Sequence, residues 1–379
     1  MPAEPPAANW TWLCSGREIY PAMLTAIDAA RHLVCLETYI FGAGHPGEGI
    51  RDALVRARQR GVRVQVLIDA LGSMGLAASF WKPLSAVGGE VRQFNPISLN
   101  RFGVRDHRKL LVCDNQAAFV GGFNIAPEYD GDGVTRGWYD VGLKVEGPLP
   151  AQLTVAFAEM FARADLQQER FVRLRKSVAK KLLLTPREQL LLSGPGRGRN
   201  PLKQALHGDL ARAANVRIMM GYFLPTWRIR RELMRIARQG GNVELILAGK
   251  SDVLISQLAG QSLYRRLLRA GVRIYEYQPQ VLHAKLIIAD DFVYAGSANL
   301  DPRSLNINYE LMIRFDEKDM AEEARAVFAG TLKQCRPITL ESWRKSRTVW
   351  RRLKQRWAYW LLVRLDPYLA RWQWRALPD

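Results

Sequence analysis

The strongest constraint on the fold is an internal duplication, in which the two halves of the chain repeat the same segments in the same order. Such self-similarity indicates that each half is one structural unit with a shared element order. Three pairs of segments carry the closest match: HRKLLVCD (107–114) with HAKLIIAD (283–290), GGFN (121–124) with GSAN (296–299), and YDVGLKV (139–145) with YELMIRF (309–315). With 379 residues, the chain is therefore expected to form two similar lobes rather than one core.

The segments that precede these matches also repeat, and they indicate the fold class. Residues 33–41 match 216–224 as buried strands, and the stretches 49–60 and 228–239 read as helices that end near a glycine. Alternating apolar residues then follow in both halves, as expected of strands. The pattern predicts an α/β fold of two pseudo-symmetric lobes, each a mixed sheet flanked by helices, with the active site at the lobe interface.

The expected lobes cover residues 9–165 and 201–335, and a basic linker, 166–200, joins them. The linker ends in GPGRGRN, a turn-rich sequence that is typical of a solvated connection. A membrane- or substrate-facing element is the alternative interpretation of this basic segment. Residues 336–379 form the fourth predicted segment, a C-terminal tail.

The tail differs from the rest of the chain because it holds six of the eleven tryptophans. Trp343, Trp350 and Trp357 recur every seven residues, which predicts one face of a helix that ends before Asp366-Pro367. Arginine and lysine residues surround that face, a composition typical of a helix that lies in a membrane interface. The alternative is that the tryptophans pack against the lobes.

Two of the five histidines, His107 and His283, occupy the same place in the repeat, and a lysine, Lys109 or Lys285, follows each by two residues. In a strand, residues i and i+2 project from the same face, so each pair is expected to point into one site. Neutral imidazole is a nucleophile near neutral pH, and its protonated form is a general acid. The two pairs therefore predict nucleophilic and acid–base chemistry in one shared site.

Other repeated polar residues are candidates for contacts with a phosphate group. Gly122, Asn124, Ser297 and Asn299 lie in the two G-[GS]-x-N stretches, where amide and hydroxyl groups can donate hydrogen bonds to phosphate oxygens. Isolated Asn and Gly residues usually mark turns, but their repetition beside the His-x-Lys pairs favours the phosphate role.

Repeated carboxylates have two expected roles. Asp140 and Glu310, matched in the YD and YE segments, are candidates for accepting a hydrogen bond that orients each histidine. Asp114 and Asp290 end the apolar strands that follow the histidines, and this position favours a turn or a lobe interface. No metal or cofactor is expected, because no cluster of His, Cys and carboxylate residues has metal-ligand spacing.

The doubled pattern H-x-K-x4-D followed by G-[GS]-x-N resembles the phospholipase D superfamily, over roughly residues 9–329. Within it, the chain is similar to bacterial cardiolipin synthases of the short type that lacks transmembrane helices. This similarity is carried by ETYIF (37–41), residues 107–129, YFLP (222–225), GKSDV (249–253) and residues 283–310. One departure is that Asp114 is one residue further from Gly121 than Asp290 is from Gly296.

This resemblance implies phosphatidyl transfer through a covalent phosphohistidine, from phosphatidylglycerol or a similar phospholipid to a second phosphatidylglycerol. The implied catalytic residues are His107, Lys109, Asp114, His283, Lys285 and Asp290. His107 is the implied nucleophile and His283 the acid, and the duplication leaves the reverse assignment open. Hydrolysis by a phospholipase D, or a phosphodiesterase or nuclease reaction of the same superfamily, is the alternative activity. A non-catalytic binding protein is disfavoured because both His-x-Lys pairs are intact.

The net charge of +19 indicates a polyanionic partner, either an anionic membrane or nucleic acid. Phospholipid substrates and an anionic membrane surface are expected, and nucleic acid is not, because the aromatic residues concentrate in the tail. No apolar run approaches the roughly 20 residues of a spanning helix. The start does not resemble a signal peptide, and the four scattered cysteines fit a reducing compartment. The expected location is peripheral, on the cytoplasmic face of the bacterial cell membrane.

Overall fold

The computed structural model describes residues 9–96, 103–165, 180–183, 187–195, 200–346 and 348–365. The chain divides into two compact units, Met1–Arg173 and Leu174–Asp379, here called the first and second lobes. Each lobe is built on one mixed sheet flanked by helices, which confirms the predicted α/β class with two lobes. Within the described residues, no helix combines the length and the apolar character needed to cross a membrane.

The described part of the first lobe holds a seven-stranded sheet and four α-helices. Its strands are β1 (Asn9–Leu13), β2 (Leu33–Thr38), β3 (Arg63–Asp69), β4 (Glu90–Phe94), β5 (Leu110–Cys113), β6 (Ala117–Gly121) and β7 (Gly142–Glu146). Its helices are α1 (Gly16–Ala29), α2 (Gly47–Gln59), α3 (Lys82–Ala86) and α4 (Leu149–Asp165). The strand order is β1-β7-β6-β5-β2-β3-β4, in which β2, β3 and β4 run parallel and the other neighbours antiparallel.

Period-2 alternation along the strands explains why this sheet is covered on both faces. Val34 and Leu36 of β2 enter a core that they share with Ile27 of α1 and Ile50 of α2. The helix α4 contacts β4, β5, β6 and β7 and buries apolar residues such as Phe157. Each fully buried side chain of this kind contributes about 1.5–3 kcal/mol of hydrophobic stabilisation.

The second lobe holds a nine-stranded sheet. Its strands are β8 (Lys180–Leu183), β9 (Glu188–Ser193), β10 (Asn215–Met220), β11 (Asn242–Ala248), β12 (Arg273–Tyr277), β13 (Lys285–Ala289), β14 (Phe292–Gly296), β15 (Glu310–Asp316) and β16 (Cys335–Ile338). The order is β16-β12-β11-β10-β13-β14-β15-β9-β8, with β10, β11 and β12 parallel. Its helices are α5 (Pro201–Arg212), α6 (Trp227–Arg238), α7 (Leu254–Gln261), α8 (Tyr264–Arg269), α9 (Pro302–Asn306), α10 (Lys318–Leu332), α11 (Leu340–Lys345) and α12 (Val349–Trp360), and a π-helical turn (Leu361–Leu365) follows.

The duplication is present in the fold, but one segment is shifted from the sequence match. Asp114 N donates to Leu33 O, and Asp290 N donates to Asn215 O, so Leu33 corresponds to Asn215. The match of 33–41 with 216–224 was therefore wrong by one residue. Both segments are mostly apolar, with Glu37 and Thr38 in the first and Arg217 in the second, and such a run carries little alternation that would fix its register. A one-residue shift moves each side chain of the match to the opposite sheet face.

The predicted linker 166–200 needs a correction, because part of it belongs to the second sheet. The strand β9 pairs antiparallel with β15, and Leu190 and Leu191 are buried. The strand β8 then pairs with β9 at the edge of the sheet. Alternating and apolar residues at 188–193 support this strand, although the surrounding basic residues suggested a solvated segment. Residues 166–179, 184–186 and 196–199 lie outside the described residues.

The predicted tail 336–379 also needs a correction at its start. The strand β16 pairs with β12, and Trp343 of α11 is buried in the core of the second lobe. Trp343 therefore does not share a helical face with Trp350 and Trp357, which lie on α12. The packing alternative holds for Trp343, whereas Trp350, Trp357 and Trp360 are exposed. Trp372, Trp374 and the Asp366-Pro367 pair lie outside the described residues.

Candidate active site

The first His–Lys pair lies immediately before the rigid strand β5. Lys109 is buried, and its Nζ donates a 2.7 Å hydrogen bond to the carbonyl oxygen of His107. The ring of Tyr39 lies 5.1 Å from the imidazole of His107, centroid to centroid, and 5.3 Å from Lys109 Nζ. The imidazole and the ammonium group are therefore held by the same tyrosine beside the end of β2.

The second pair occupies the corresponding place before and at the start of β13. His283 and Lys285 are both buried, and Lys285 Nζ lies 2.7 Å from Nδ1 and 3.0 Å from Nε2 of His283. It also donates to the carbonyl oxygen of His283. The ring of Tyr222 meets this imidazole edge-on, with centroids 6.0 Å apart. Each lobe thus brings a histidine, a lysine and a tyrosine together.

The two tyrosines come from different positions of the duplication. Because Leu33 corresponds to Asn215, Tyr39 corresponds to Gly221, and Tyr222 lies one position further along. Both tyrosines lie in segments that carry the family resemblance, ETYIF and YFLP, but they were not among the predicted site residues. The repeat match of 33–41 with 216–224 aligns these two tyrosines with each other, and this alignment is the signal that could have identified them.

In the first lobe, the candidate phosphate and orienting residues form one cluster. The amide of Asn124 accepts from Ile40 N (3.1 Å) and donates to Tyr129 Oη (2.7 Å). Asp140 is fully buried, and a Cβ atom at Gly122 would lie 2.3 Å from its Oδ1. Gly122 is therefore needed as space for Asp140, and Asn124 anchors its loop to the end of β2. Their roles toward phosphate and histidine stay predictions.

In the second lobe, a direct hydrogen bond joins two of the candidates. Ser297 Oγ donates to Glu310 Oε2 at 2.5 Å and accepts from Leu311 N at 3.0 Å. Asn299 is buried, and its Oδ1 has no hydrogen-bond partner among the described residues. A buried amide oxygen of this kind is costly unless another group satisfies it, which fits a residue that meets a ligand.

Asp114 and Asp290 lie at the other end of their strands from the histidines. Asp114 accepts hydrogen bonds at 2.8 Å from the backbone N–H groups of Arg31, His32 and Leu33. Asp290 accepts in the same way from Ala214 (3.1 Å) and Asn215 (2.8 Å). These contacts correct their assignment to the catalytic group, because they give both carboxylates a strand-anchoring role and agree with the turn position expected from the sequence.

Electrostatics distinguish the surroundings of the two pairs. Burial raises the pKa of Glu37 well above its ordinary value, although Arg108 opposes this shift. Burial also raises the pKa of Asp106 and brings that of Asp69 to about 6. The first histidine thus lies next to buried carboxyl groups that resist ionisation. Within the described residues, no group of three or more His, Cys, Asp and Glu side chains could hold a metal ion.

Comparison with known proteins agrees with this geometry. Residues 23–159 and 209–332 match the family model described as "Cardiolipin synthase, PLD-like domain". The chain is 31% identical to Cardiolipin synthase 1 of Bacillus cereus, covering 90% of this chain and 70% of the relative. It is 30% identical to Cardiolipin synthase B of Salmonella typhimurium, covering 94% and 88%.

Solved structures support the fold. The phosphatidylserine synthase of Haemophilus influenzae superposes with a TM-score of 0.73 over 95% of this chain and 94% of that one, at 15% identity. The polyphosphate kinase of Porphyromonas gingivalis gives a TM-score of 0.56 at 15% identity, covering 88% of this chain and 49% of that one. At these identities the likeness concerns the architecture alone.

Proposed function

The chain belongs to the family of cardiolipin synthases with phospholipase D-like domains, and we therefore propose that it transfers a phosphatidyl group between phospholipids. The donor is phosphatidylglycerol or a similar phospholipid, the acceptor is a second phosphatidylglycerol, and the product is cardiolipin. The observation that carries this proposal is the pair of His–Lys units placed at the start of equivalent strands in the two lobes, with both lysines buried.

The proposed reaction has two steps in one site shared by both lobes. A ring nitrogen of His107 attacks phosphorus and forms an N–P bond, while the P–O bond to the leaving alcohol breaks and His283 gives that oxygen a proton. The acceptor hydroxyl then gives its proton to His283 and attacks phosphorus, which breaks the N–P bond. The duplication leaves the reverse assignment of the two histidines open.

The remaining candidates serve the phosphate and the imidazoles in this proposal. Lys109 and Lys285 offset the negative charge on the non-bridging oxygens, and the buried amide of Asn299 supplies a polar contact. Asp140 and Glu310 orient the histidines, and the bond between Ser297 and Glu310 supports a fixed position for the latter carboxylate. Each lysine already contacts its own histidine, so the cations are held in place before substrate binds.

The membrane-facing part of the proposal concerns α12. Trp350, Leu353, Trp357 and Trp360 are exposed along one of its faces, and exposed basic residues accompany them: Arg352, Lys354, Arg356 and Arg364. Indole rings favour the headgroup level, and each basic residue near an anionic surface contributes about 1 kcal/mol. This composition supports peripheral binding to anionic lipid, and the cytoplasmic face of the bacterial cell membrane is the proposed location.

Contacts inside the second lobe link this face to the second histidine. Arg351, at the start of α12, donates to Gln261 at the end of α7. The opposite end of α7 begins with exposed Leu254, two residues after Asp252, which accepts a hydrogen bond from Tyr222 Oη. Because the Tyr222 ring meets His283, these contacts connect α12 through α7 to the tyrosine beside the second histidine.

The test is a thin-layer lipid assay of purified protein with labelled phosphatidylglycerol in vesicles. Cardiolipin together with released glycerol is the expected outcome. Phosphatidic acid as the sole product would favour the hydrolase alternative, in which water replaces the second alcohol. Cleavage of labelled single-stranded DNA without lipid turnover would favour the nuclease alternative.

A further inference from the structure

Five charged side chains are buried around the segment that holds His107. They are Glu37, Asp69, Arg105, Asp106 and Arg108, each at most 3% exposed, and we call them the buried network. Arg108 Nη2 lies 3.0 Å from Glu37 Oε2, and Arg105 Nη1 lies 3.4 Å from Asp69 Oδ1. Charged residues are almost never buried this completely unless they are paired, so the pairing is a built feature of the lobe.

The network fixes the backbone on both sides of the histidine. Asp69 Oδ2 accepts a 3.0 Å hydrogen bond from the backbone N–H of Asp106. Asp106 Oδ1 in turn accepts a 3.2 Å bond from the backbone N–H of Arg108. Arg105 also donates to the carbonyl oxygen of Asn95 at 3.0 Å. The residues immediately before and after His107 are therefore held by buried carboxylates.

Two carboxyl groups of the network resist ionisation. Both oxygens of Glu37 and Oδ2 of Asp106 are buried and have no hydrogen-bond partner among the described residues. Burial raises the pKa of Glu37 well above its ordinary value and also raises the pKa of Asp106, while the charge of Arg108 acts to lower both. The ion pair between Arg108 and Glu37 is therefore the contact that offsets the burial of this carboxyl group.

The second lobe has apolar residues at the corresponding positions. Met219 corresponds to Glu37 and Ala248 to Asp69, while Leu282 and Ala284 flank His283 where Asp106 and Arg108 flank His107. There the backbone provides the anchor, because Gly221 N donates to Ala284 O at 3.0 Å. The same strand can thus be built and buried without any ionic network.

Stability does not account for the charges. Replacing a buried ion pair by apolar residues of similar size is often neutral or stabilising, and the second lobe carries such residues. We propose that the buried network is a positioning device for His107 that makes its environment different from that of His283 in the transfer reaction. This inference rests on the proposed function, since it concerns the unequal roles of the two histidines.

The physical reason is the geometry that a nucleophile needs. An attacking nitrogen must be held near its line of approach, and a misplacement of about 1 Å can reduce the rate about 10²-fold. Buried hydrogen bonds to the backbone hold such positions more tightly than apolar contacts do. The carboxylates of the network accept from the backbone N–H groups of Asp106 and Arg108. The network therefore restricts the backbone on both sides of the imidazole.

The experiment compares three variants in the full-length protein. Glu37→Met is expected to lower kcat about 10-fold to 10²-fold with KM within about twofold, because it removes the ion-pair partner of the buried Arg108. Glu37→Gln keeps a polar side chain of the same size, whose amide oxygen can still face Arg108, and it is expected to restore most of the lost kcat. The triple variant Glu37→Met, Asp106→Leu, Arg108→Ala, which copies the second lobe, is expected to melt near the parent temperature but to keep the low kcat.

A second measurement separates positioning from packing and does not require turnover. With five histidines in the chain, labelled imidazoles can be followed by NMR through a pH titration. The variants should change the titration of His107 and leave that of His283 unchanged. Glu244→Gln is the matched control, since it removes a buried carboxylate that pairs with Arg217 at 3.0 Å in the second lobe. The control should keep both titrations and the parent kcat.

Each outcome is decisive. A triple variant with the parent kcat and the parent His107 titration would overturn the proposal, and the network would then be packing alone. If the triple variant does not fold, the contrast between Glu37→Met and Glu37→Gln decides the question, and equal kcat values for those two would overturn it. A parent protein without transfer activity, but with a His107 titration that responds to Glu37→Met, would refute the proposed function and leave the network's role intact.

Discussion

The indole ring of Trp343 packs against the phenol ring of Tyr264, with centroids 4.8 Å apart and the indole only 3% exposed. Trp343→Ala should therefore destabilise the protein by about 3–5 kcal/mol, as expected for a large aromatic residue in a core. Trp350, which is 74% exposed, is the matched control, and its replacement by alanine should change the free energy of unfolding little. Denaturant unfolding of both variants measures this, and equal losses would contradict the division.

The exposed tryptophans of α12 should hold the protein on anionic vesicles. Replacing Trp350, Trp357 and Trp360 by serine should reduce sedimentation with phosphatidylglycerol vesicles and leave the melting temperature unchanged. Binding of the parent protein should weaken with added salt, since charge attraction is screened over about 8–10 Å at physiological ionic strength.

Activity on short-chain lipid dispersed in detergent should largely persist in this variant. Met74→Ser, at an exposed apolar residue of the first lobe, is the control and should bind vesicles like the parent. The anchor proposal fails if the triple variant sediments as well as the parent.

His107→Asn and His283→Asn should each reduce phosphatidyl transfer by at least about 10²-fold, the usual cost of losing an acid–base group. The substitutions keep polar side chains, so circular dichroism should be unchanged. Labelled lipid should trap a covalent phosphoprotein in one of the two variants and not in the other. More than about a tenth of the parent rate in either variant would contradict the two-histidine mechanism.

Transfer should continue without a divalent metal ion. The two lysines occupy the place beside the histidines where a cation is needed to offset phosphate charge. The assay is transfer after dialysis against excess chelator, with activity expected near the parent value. A complete loss that Mg²⁺ or Zn²⁺ restores would show that the lysines are insufficient.

Asp114→Asn should affect stability and its pH dependence rather than the chemistry. Burial alone would raise the pKa of Asp114, but hydrogen bonds from the backbone N–H groups of Leu33, Arg31 and His32 outweigh it and lower the pKa below 3.8. A lowered folded-state pKa means that the stabilisation is present above the unfolded value and is lost as the pH falls through the folded value. The parent should therefore lose its advantage over the variant below about pH 4.

At neutral pH the free energy of unfolding of Asp114→Asn should be about 1 kcal/mol lower than that of the parent. The loss is this small because the site is partly open to solvent. Its kcat should remain within about threefold of the parent, measured where both are folded. A larger loss of kcat would return Asp114 to the catalytic group.

The parts of the fold that could be predicted are those with a repeated chemical signature. His107 with Lys109, and the GGFN segment after them, have counterparts of nearly the same spacing, so the strand pairs β5–β6 and β13–β14 followed directly. The end of the helix before Gly61 could also be predicted, because glycine commonly follows the last turn of a helix. In the structure this glycine has a φ of 91°, a conformation that favours glycine.

The errors arose where local composition and tertiary context disagreed. Trp343 fits a seven-residue spacing with Trp350, but α11 ends at Lys345 and α12 begins at Val349, and the capping box at Thr339 starts α11 as a separate short helix. The strand at 188–193 was obscured by its basic surroundings. The ion pair between Glu37 and Arg108 could not be predicted, because the pattern of apolar residues does not show which buried charges lie close together in the folded lobe.

The division of the strands has a consequence for how this protein can be produced. Among the described residues, every strand of the first sheet precedes residue 147, and every strand of the second follows residue 179. A chain cut within residues 166–179 would leave all of these strands on the fragment of their own sheet. His107 and His283 would then reside on separate polypeptides. If the two histidines act in one site as proposed, two separately expressed fragments offer a complementation assay in which neither alone transfers lipid and activity arises on reassembly.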